Sequence, residues 1–102
     1  MARKISNDIY QGKDESIAYE ITTTSWGSDP TGVEVKAYEI NDGVYTDVSA
    51  TVLDGSPAAV SGDVITLPLL KSLTINKKYR IEVKFSSGGS VFEPWFYVIC
   101  ER

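Results

Sequence analysis

The 102-residue sequence contains no histidine and a single cysteine, Cys100. Without histidine the usual general base, the Ser-His triad and most zinc or copper sites are gone. One thiol closes no intrachain disulfide and builds no thiolate cluster, and a lone reduced cysteine fits an intracellular site of synthesis. There is no apolar run near the ~20 residues of a membrane-spanning helix. The first residues, Met1-Ala2-Arg3-Lys4, are followed by Ile5-Ser6-Asn7-Asp8 rather than by the apolar core of a secretion signal. The expectation is a chain that stays in the cytoplasm of the producing cell, or is assembled there into a particle. Basic residues are outnumbered, 10 against 14, for a net charge of −4. That balance argues against a nucleic-acid grip, which wants a basic face. No membrane partner is expected either.

Catalytic and ligand motifs are equally scarce. Ser87-Gly88-Gly89-Ser90 has neither the lysine nor the following helix of a phosphate loop. Asn7-Asp8 and Asp14-Glu15 lack the spacing of a calcium loop. Asp42 and Asp54 each precede a glycine, and turn formation accounts for both. A pair of acids for glycoside hydrolysis is a spatial matter that spacing does not settle. A filled domain of this size leaves little room for a substrate. The reading is a protein that is not an enzyme, with no catalytic residue, no metal and no cofactor.

What is present is globular composition: 42 % hydrophobic and 11 % aromatic residues, enough for one core and one domain over 1–102. Period-two alternation dominates. Ile17, Tyr19 and Ile21 alternate with Ala18, Glu20 and Thr22, and Tyr79, Ile81, Val83 and Phe85 with Arg80, Glu82 and Lys84. Such segments bury one face and wet the other. Further strands are expected near 4–10, carrying Ile5 and Ile9, over 15–24, and from Asp63 to Leu67 before Pro68. About seven short strands between turn clusters indicate an antiparallel all-β sandwich.

Two hairpins have a definite register. Gly88-Gly89 suits a type I′ turn, which sets Phe85 opposite Phe92, Val83 opposite Pro94, Ile81 opposite Phe96 and Tyr79 opposite Val98, with Lys84 meeting Glu93 on the wet face. A slip by one residue puts Glu93 in the core. Asp42-Gly43 turns the second hairpin, with Val33 facing Val52, Val35 facing Ala50 and Ala37 facing Val48. Pro94 cannot donate to a ladder, so the last strand is an edge or bulges there.

Leu73-Thr74-Ile75-Asn76-Lys77-Lys78-Tyr79, followed by alternating apolar residues, resembles the signature of fibronectin type III and related immunoglobulin-like domains. The resemblance implies an immunoglobulin-like β-sandwich in which the Tyr79 hydroxyl closes a corner against backbone a few residues upstream. Leu73 is its apolar companion, and Asn76 stands where that family often has glycine. A freestanding domain with a tyrosine strand, a glycine-rich hairpin and a last aromatic strand also resembles small immunoglobulin-like proteins encoded among phage and prophage head, neck and tail genes. That likeness implies a structural or adaptor part of a virion.

The last strand carries the one feature that a wet face does not need. In the hairpin register Val91, Trp95, Tyr97 and Ile99 point outward, opposite Ser86, Glu82, Arg80 and Lys78. Aromatics with arginine are favoured anchors of protein interfaces, so Val91, Trp95, Tyr97, Ile99 and Arg80 form a candidate partner-binding surface, for a second copy or a neighbouring virion subunit. Three other readings stand beside it: the stems of Arg80, Lys78 and Lys84 cover the rings, the N-terminal strand folds over them, or the aromatics are simple β-formers. Tyr38, Ile40 and Tyr45 lie on the outward face of the other hairpin and either pair among themselves or extend the surface. Trp26 is a core plug or a loop-tip anchor. The alternative function is a carbohydrate-binding or adhesion module, since aromatics on a β face stack on sugar rings.

Overall fold

The computed structural model describes residues 8–101. Among these residues nine strands and one helical turn follow in order: β1 (Ile9–Gly12), β2 (Glu20–Thr22), β3 (Thr31–Asn41), β4 (Val44–Asp47), α1 (Ser49–Val52), β5 (Ala59–Ser61), β6 (Val64–Thr66), β7 (Lys78–Ser87), β8 (Ser90–Phe92) and β9 (Trp95–Glu101). They form two sheets. The larger runs β1-β9-β7-β3-β4, with β8 also beside β7, and the smaller runs β2-β6-β5. All pairings are antiparallel except β1 with β9, which is parallel. This all-β, sandwich-like domain is compatible with an immunoglobulin-like fold.

The alternation on β7 and β9 is the spine of the core. Tyr79, Ile81, Val83 and Phe85 from β7 and Phe96, Val98 and Cys100 from β9 are buried on one face. Ile21, Ile65, Leu67, Leu70 and Leu73 meet them from the small-sheet side. Truncating one of the buried aromatics to alanine costs about 3–5 kcal/mol. The β7–β8–β9 register is the expected one, with Phe85 opposite Phe92, Ile81 opposite Phe96 and Tyr79 opposite Val98. Gly88 and Gly89 have φ of 57° and 85°, the left-handed pair that a type I′ turn demands and that residues with a Cβ resist. At Pro94, which has no N–H to give, the ladder breaks between β8 and β9. Lys84 and Glu93 border one shallow recess there but form no ion pair among the described residues.

Three expectations are corrected. The second hairpin turns at Asp42-Gly43 in the expected register, Ile40 with Tyr45 and Tyr38 with Asp47. It ends at Asp47, however, and Val33–Val52 and Val35–Ala50 do not pair. The chain has to cross to the small sheet, and α1 carries it over. Val52 is 2 % exposed and Leu53 8 %, so the residues that alternate like a strand instead close the floor of the core. Lys71 N–H donates to Val52 O at 2.8 Å and Asp54 N–H to Leu69 O at 3.1 Å, fastening the crossing. The last strand is not an edge, because β1 occupies its outer side, Ile9 beside Val98 and Gln11 beside Cys100. Within 15–24 only Glu20–Thr22 is strand, Ile17 making a lone bridge to Leu70. Of the expected first strand, Ile5 lies outside the described residues.

Gln11 was not expected in the core, yet it is fully buried. Its Nε2 donates to Leu70 O at 2.7 Å and Glu15 O at 3.0 Å, and its Oε1 accepts from the Tyr19 hydroxyl at 2.8 Å. All of its main bonding capacity is used, as burial of an amide requires. The Tyr19 phenol is pushed up by burial and by the Glu15 charge, and its ring meets Phe96 edge-on at 5.6 Å.

Tyr79 bonds back to the backbone upstream of it. Tyr79 is 1 % exposed and its hydroxyl accepts the Thr74 N–H at 2.8 Å. Asn76 has φ of 68°, the conformation that glycine favours and asparagine tolerates. Its N–H donates to Cys100 O at 2.9 Å, so the crossing segment is tied to β9. Trp26 packs against the core, its ring 6.3 Å from Phe85, which makes it a plug rather than a loop-tip anchor.

Candidate protein-binding face

The ladder of the large sheet arranges its outward side chains in rows. One row runs Tyr10, Ile99, Lys78, Ile40, Tyr45 across five strands. The next runs Tyr97, Arg80, Tyr38, Asp47, and the third Trp95, Glu82, Lys36. Val91 stands on β8 beside Ser86. The expected surface residues Trp95, Tyr97, Ile99 and Arg80 therefore lie together, with Val91 toward the hairpin end. Tyr38, Ile40 and Tyr45 join them from the other hairpin.

Tyr10 was missed. Strict alternation from Ile9 would have placed it outward, but the strand is too short to show a period. It is 60 % exposed, and Val91 and Tyr45 are 59 % and 47 % exposed. Trp95, Tyr97 and Ile99 are half-buried.

Cations sit over the central rings. The Arg80 guanidinium carbon is 4.3 Å from the Trp95 ring centroid and 5.8 Å from that of Tyr45, and Lys78 Nζ is 4.2 Å from the Tyr97 centroid. Such pairs are worth about 0.5–2 kcal/mol according to exposure. Arg80 Nε also donates to Glu82 Oε2 at 2.8 Å, and Lys78 Nζ lies 3.6 Å from Asp8 Oδ2. Burial pushes the Tyr97 phenol up, but its hydrogen bonding with Tyr45 and Arg80, together with the Arg80 charge, brings it below the ordinary tyrosine value. Burial works against the Arg80 charge, and the hydrogen bond and charge of Glu82, with hydrogen bonding to Tyr97 and Tyr45, together more than restore it. Trp95 Nε1 is buried and, among the described residues, has no hydrogen-bond partner.

Tyr79 and Leu73 are buried in the core. Among the described residues no group of three metal-ligating side chains comes together, and no helix is long and apolar enough to cross a membrane. Cys100 is buried on the inner face, and burial pushes its thiol up, away from reactivity.

The expectation of little room for a small molecule is not met on the flank. An open recess of about 480 Å³ lies between β3 and α1, bounded by Val35, Ala50, Leu53, Asp54, Ser56 and Pro68. Asp54 is its single ionisable wall residue. The Ser56 hydroxyl and backbone N–H, 2.5 and 3.0 Å from Asp54 Oδ1, hold the Asp54 carboxyl below the usual carboxylate range. That favours a fixed charge rather than a proton-transfer group. Set against known protein families, curated proteins and solved structures, the chain matches none.

Proposed function

We propose that this chain is a non-enzymatic structural or adaptor protein with an immunoglobulin-like, fibronectin type III-like fold. It works by burying the outward face of its large sheet against a neighbouring protein subunit, a copy of itself or another. The fold assignment is supported by the strand order, the parallel first-to-last pairing and the tyrosine corner. One observation carries the functional reading: five aromatic rings, those of Tyr10, Tyr38, Tyr45, Trp95 and Tyr97, share one face with Arg80 at its centre. Tyr, Trp and Arg are the residues that dominate binding energy at protein interfaces. The resemblance to small virion proteins makes a phage or prophage head, neck or tail assembly the setting, with the cytoplasm of the producing cell as the place of assembly.

A standard interface takes ~800 Å² from each partner, so the loops beside the rows contribute as well. The alternative, a carbohydrate-binding or adhesion module, is less favoured, because Arg80 and Lys78 already occupy ring faces on which a sugar would stack.

The test combines light scattering over a concentration series with mass spectrometry of particles purified from the strain that carries the gene. The expected result is an oligomer, or a particle-bound chain, that Trp95→Ala and Tyr45→Ala each release. A strict monomer that is also missing from particles sinks the reading. Saccharide affinity on a glycan array, abolished by Trp95→Ala, would transfer the face to the alternative.

A further inference from the structure

The large sheet is incomplete along one stretch. β4 pairs only with Tyr38–Asn41 of β3. The chain turns away into α1 after Asp47, so the first half of β3 has β7 on one side and, among the described residues, no strand on the other. The direction of the backbone groups there follows from their neighbours. Ala37 N–H donates to Ser49 Oγ at 2.9 Å and Ala37 O accepts the Val48 N–H at 2.9 Å, both toward the β4 side. In an antiparallel ladder this direction alternates, so Val35 presents its N–H and C=O to the same open side. Its partner on β7 agrees: Val83 sends its own N–H away from β3, to Pro94 O at 2.9 Å. A bulge between Thr31 and Glu34 bounds this open edge at one end, and α1 bounds it at the other.

Beneath the open edge lies the recess. Val35, Leu53 and Pro68 give it apolar walls, and Asp54 gives it one negative charge. Each feature selects part of an occupant. Unanswered backbone groups on an edge want extended main chain. An apolar wall wants an apolar side chain, and a carboxylate held ionised wants a cation. A small apolar molecule would answer only the second of these.

We infer that this flank binds an extended protein segment, which adds as a strand to β3 at Val35, seats an apolar side chain in the recess and sets a lysine or arginine against Asp54. The site is separate from the aromatic rows, since Val35 belongs to the inner face of the sheet and those rows to the outer. An adaptor with both would hold one neighbour by a rigid face and a second by a flexible tail.

The test screens the full chain against a random linear peptide library. Enriched sequences are expected to alternate apolar residues, with Lys or Arg beside them. A synthetic peptide of the strongest sequence is expected to shift the amide resonances of Val35 and Lys36. Ala50→Phe, made at an exposed helix position that borders the recess, should weaken its binding at least about tenfold. Asp54→Asn keeps the oxygen that Ser56 binds and removes the charge, and should weaken it by about two- to fivefold. Thermal unfolding of each variant, matched to the parent, separates lost binding from lost folding. A library without enrichment, shifts that map elsewhere, or affinity indifferent to Asp54→Asn and Ala50→Phe alike overturns the inference.

Discussion

Replacing Tyr79 with phenylalanine isolates the hydroxyl that closes the corner. The ring is 1 % exposed and stays in place, so no cavity opens and the apolar burial is kept. What disappears is the acceptor of the Thr74 N–H at 2.8 Å. A hydrogen bond of this kind contributes a net ~0.5–1.5 kcal/mol. Thr74 is at an exposed position, where water can reach the freed donor, which keeps the loss near ~1 kcal/mol rather than at the ~1–3 kcal/mol of a sealed, unsatisfied group. The second contact, 3.5 Å from Tyr79 Oη to Glu39 Oε2, is at the limit of bonding distance and adds little. In urea, where a small domain has a slope of roughly 1–1.5 kcal/mol per molar, the midpoint should fall by about 0.7–1 M with the slope unchanged. The melting temperature should fall by about 4–8 °C. Tyr79→Ala, by contrast, should cost about 3–5 kcal/mol. A midpoint shift below about 0.2 M would mean that the hydroxyl ties nothing down. A shift as large as that of the alanine variant would mean that the ring itself had moved.

Three other outcomes follow from the packing. Gln11→Leu strands the Glu15 carbonyl and the Tyr19 hydroxyl and leaves Leu70 O with only the Ile17 N–H, and should cost about 2–3 kcal/mol in urea unfolding, with Tyr19→Phe recovering part of the loss. A Cβ built on Gly27 comes within 2.8 Å of Ser87 Cβ, so Gly27→Ala should cost about 1–3 kcal/mol, and Ser87→Gly in the same chain should restore stability. Asp47 is bound by the backbone N–H and side chain of Ser49, and Asp54 by Ser56, and both carboxyls are held below their ordinary value. Their contribution is therefore complete above the unfolded pKa of ~3.9 and is lost as pH falls through the lower folded values. Carboxyl resonances followed by NMR should titrate below that of an unstructured aspartate, and midpoints no lower than it would refute the assignment.

The parts of the fold legible in the sequence are those where two independent local signals agree. At Gly88-Gly89 the turn chemistry and the apolar alternation select the same register, and the ladder follows it as far as Ile99. At Asp42-Gly43 the same agreement holds for four residue pairs. It then misleads, because Val48, Ala50 and Val52 alternate whether the segment extends a ladder or crosses between layers. The choice is made by Val52 and Leu53 finding the floor of the core, a long-range fact. Gln11 was illegible for a related reason: a polar residue in a short strand reads as wet until its partners, Leu70 and Tyr19, are placed around it. The outward stripe of Trp95, Tyr97 and Ile99 was legible because register fixes direction. The open edge at Val35 was not, because it arises where the expected pairing stops.

The parallel contact of β1 with β9 makes the order of synthesis matter. Ile9 finds its place only beside Val98, and β9 also supplies Phe96 and Val98 to the centre of the core. A nascent chain that has emerged only as far as β7 has the β4 end of its main sheet but no partner for β1, and its buried tyrosine strand faces water along one side. Contacts so distant along the chain are slow to form. The domain therefore matures after translation of β9, in a late closure that joins β1 to β9.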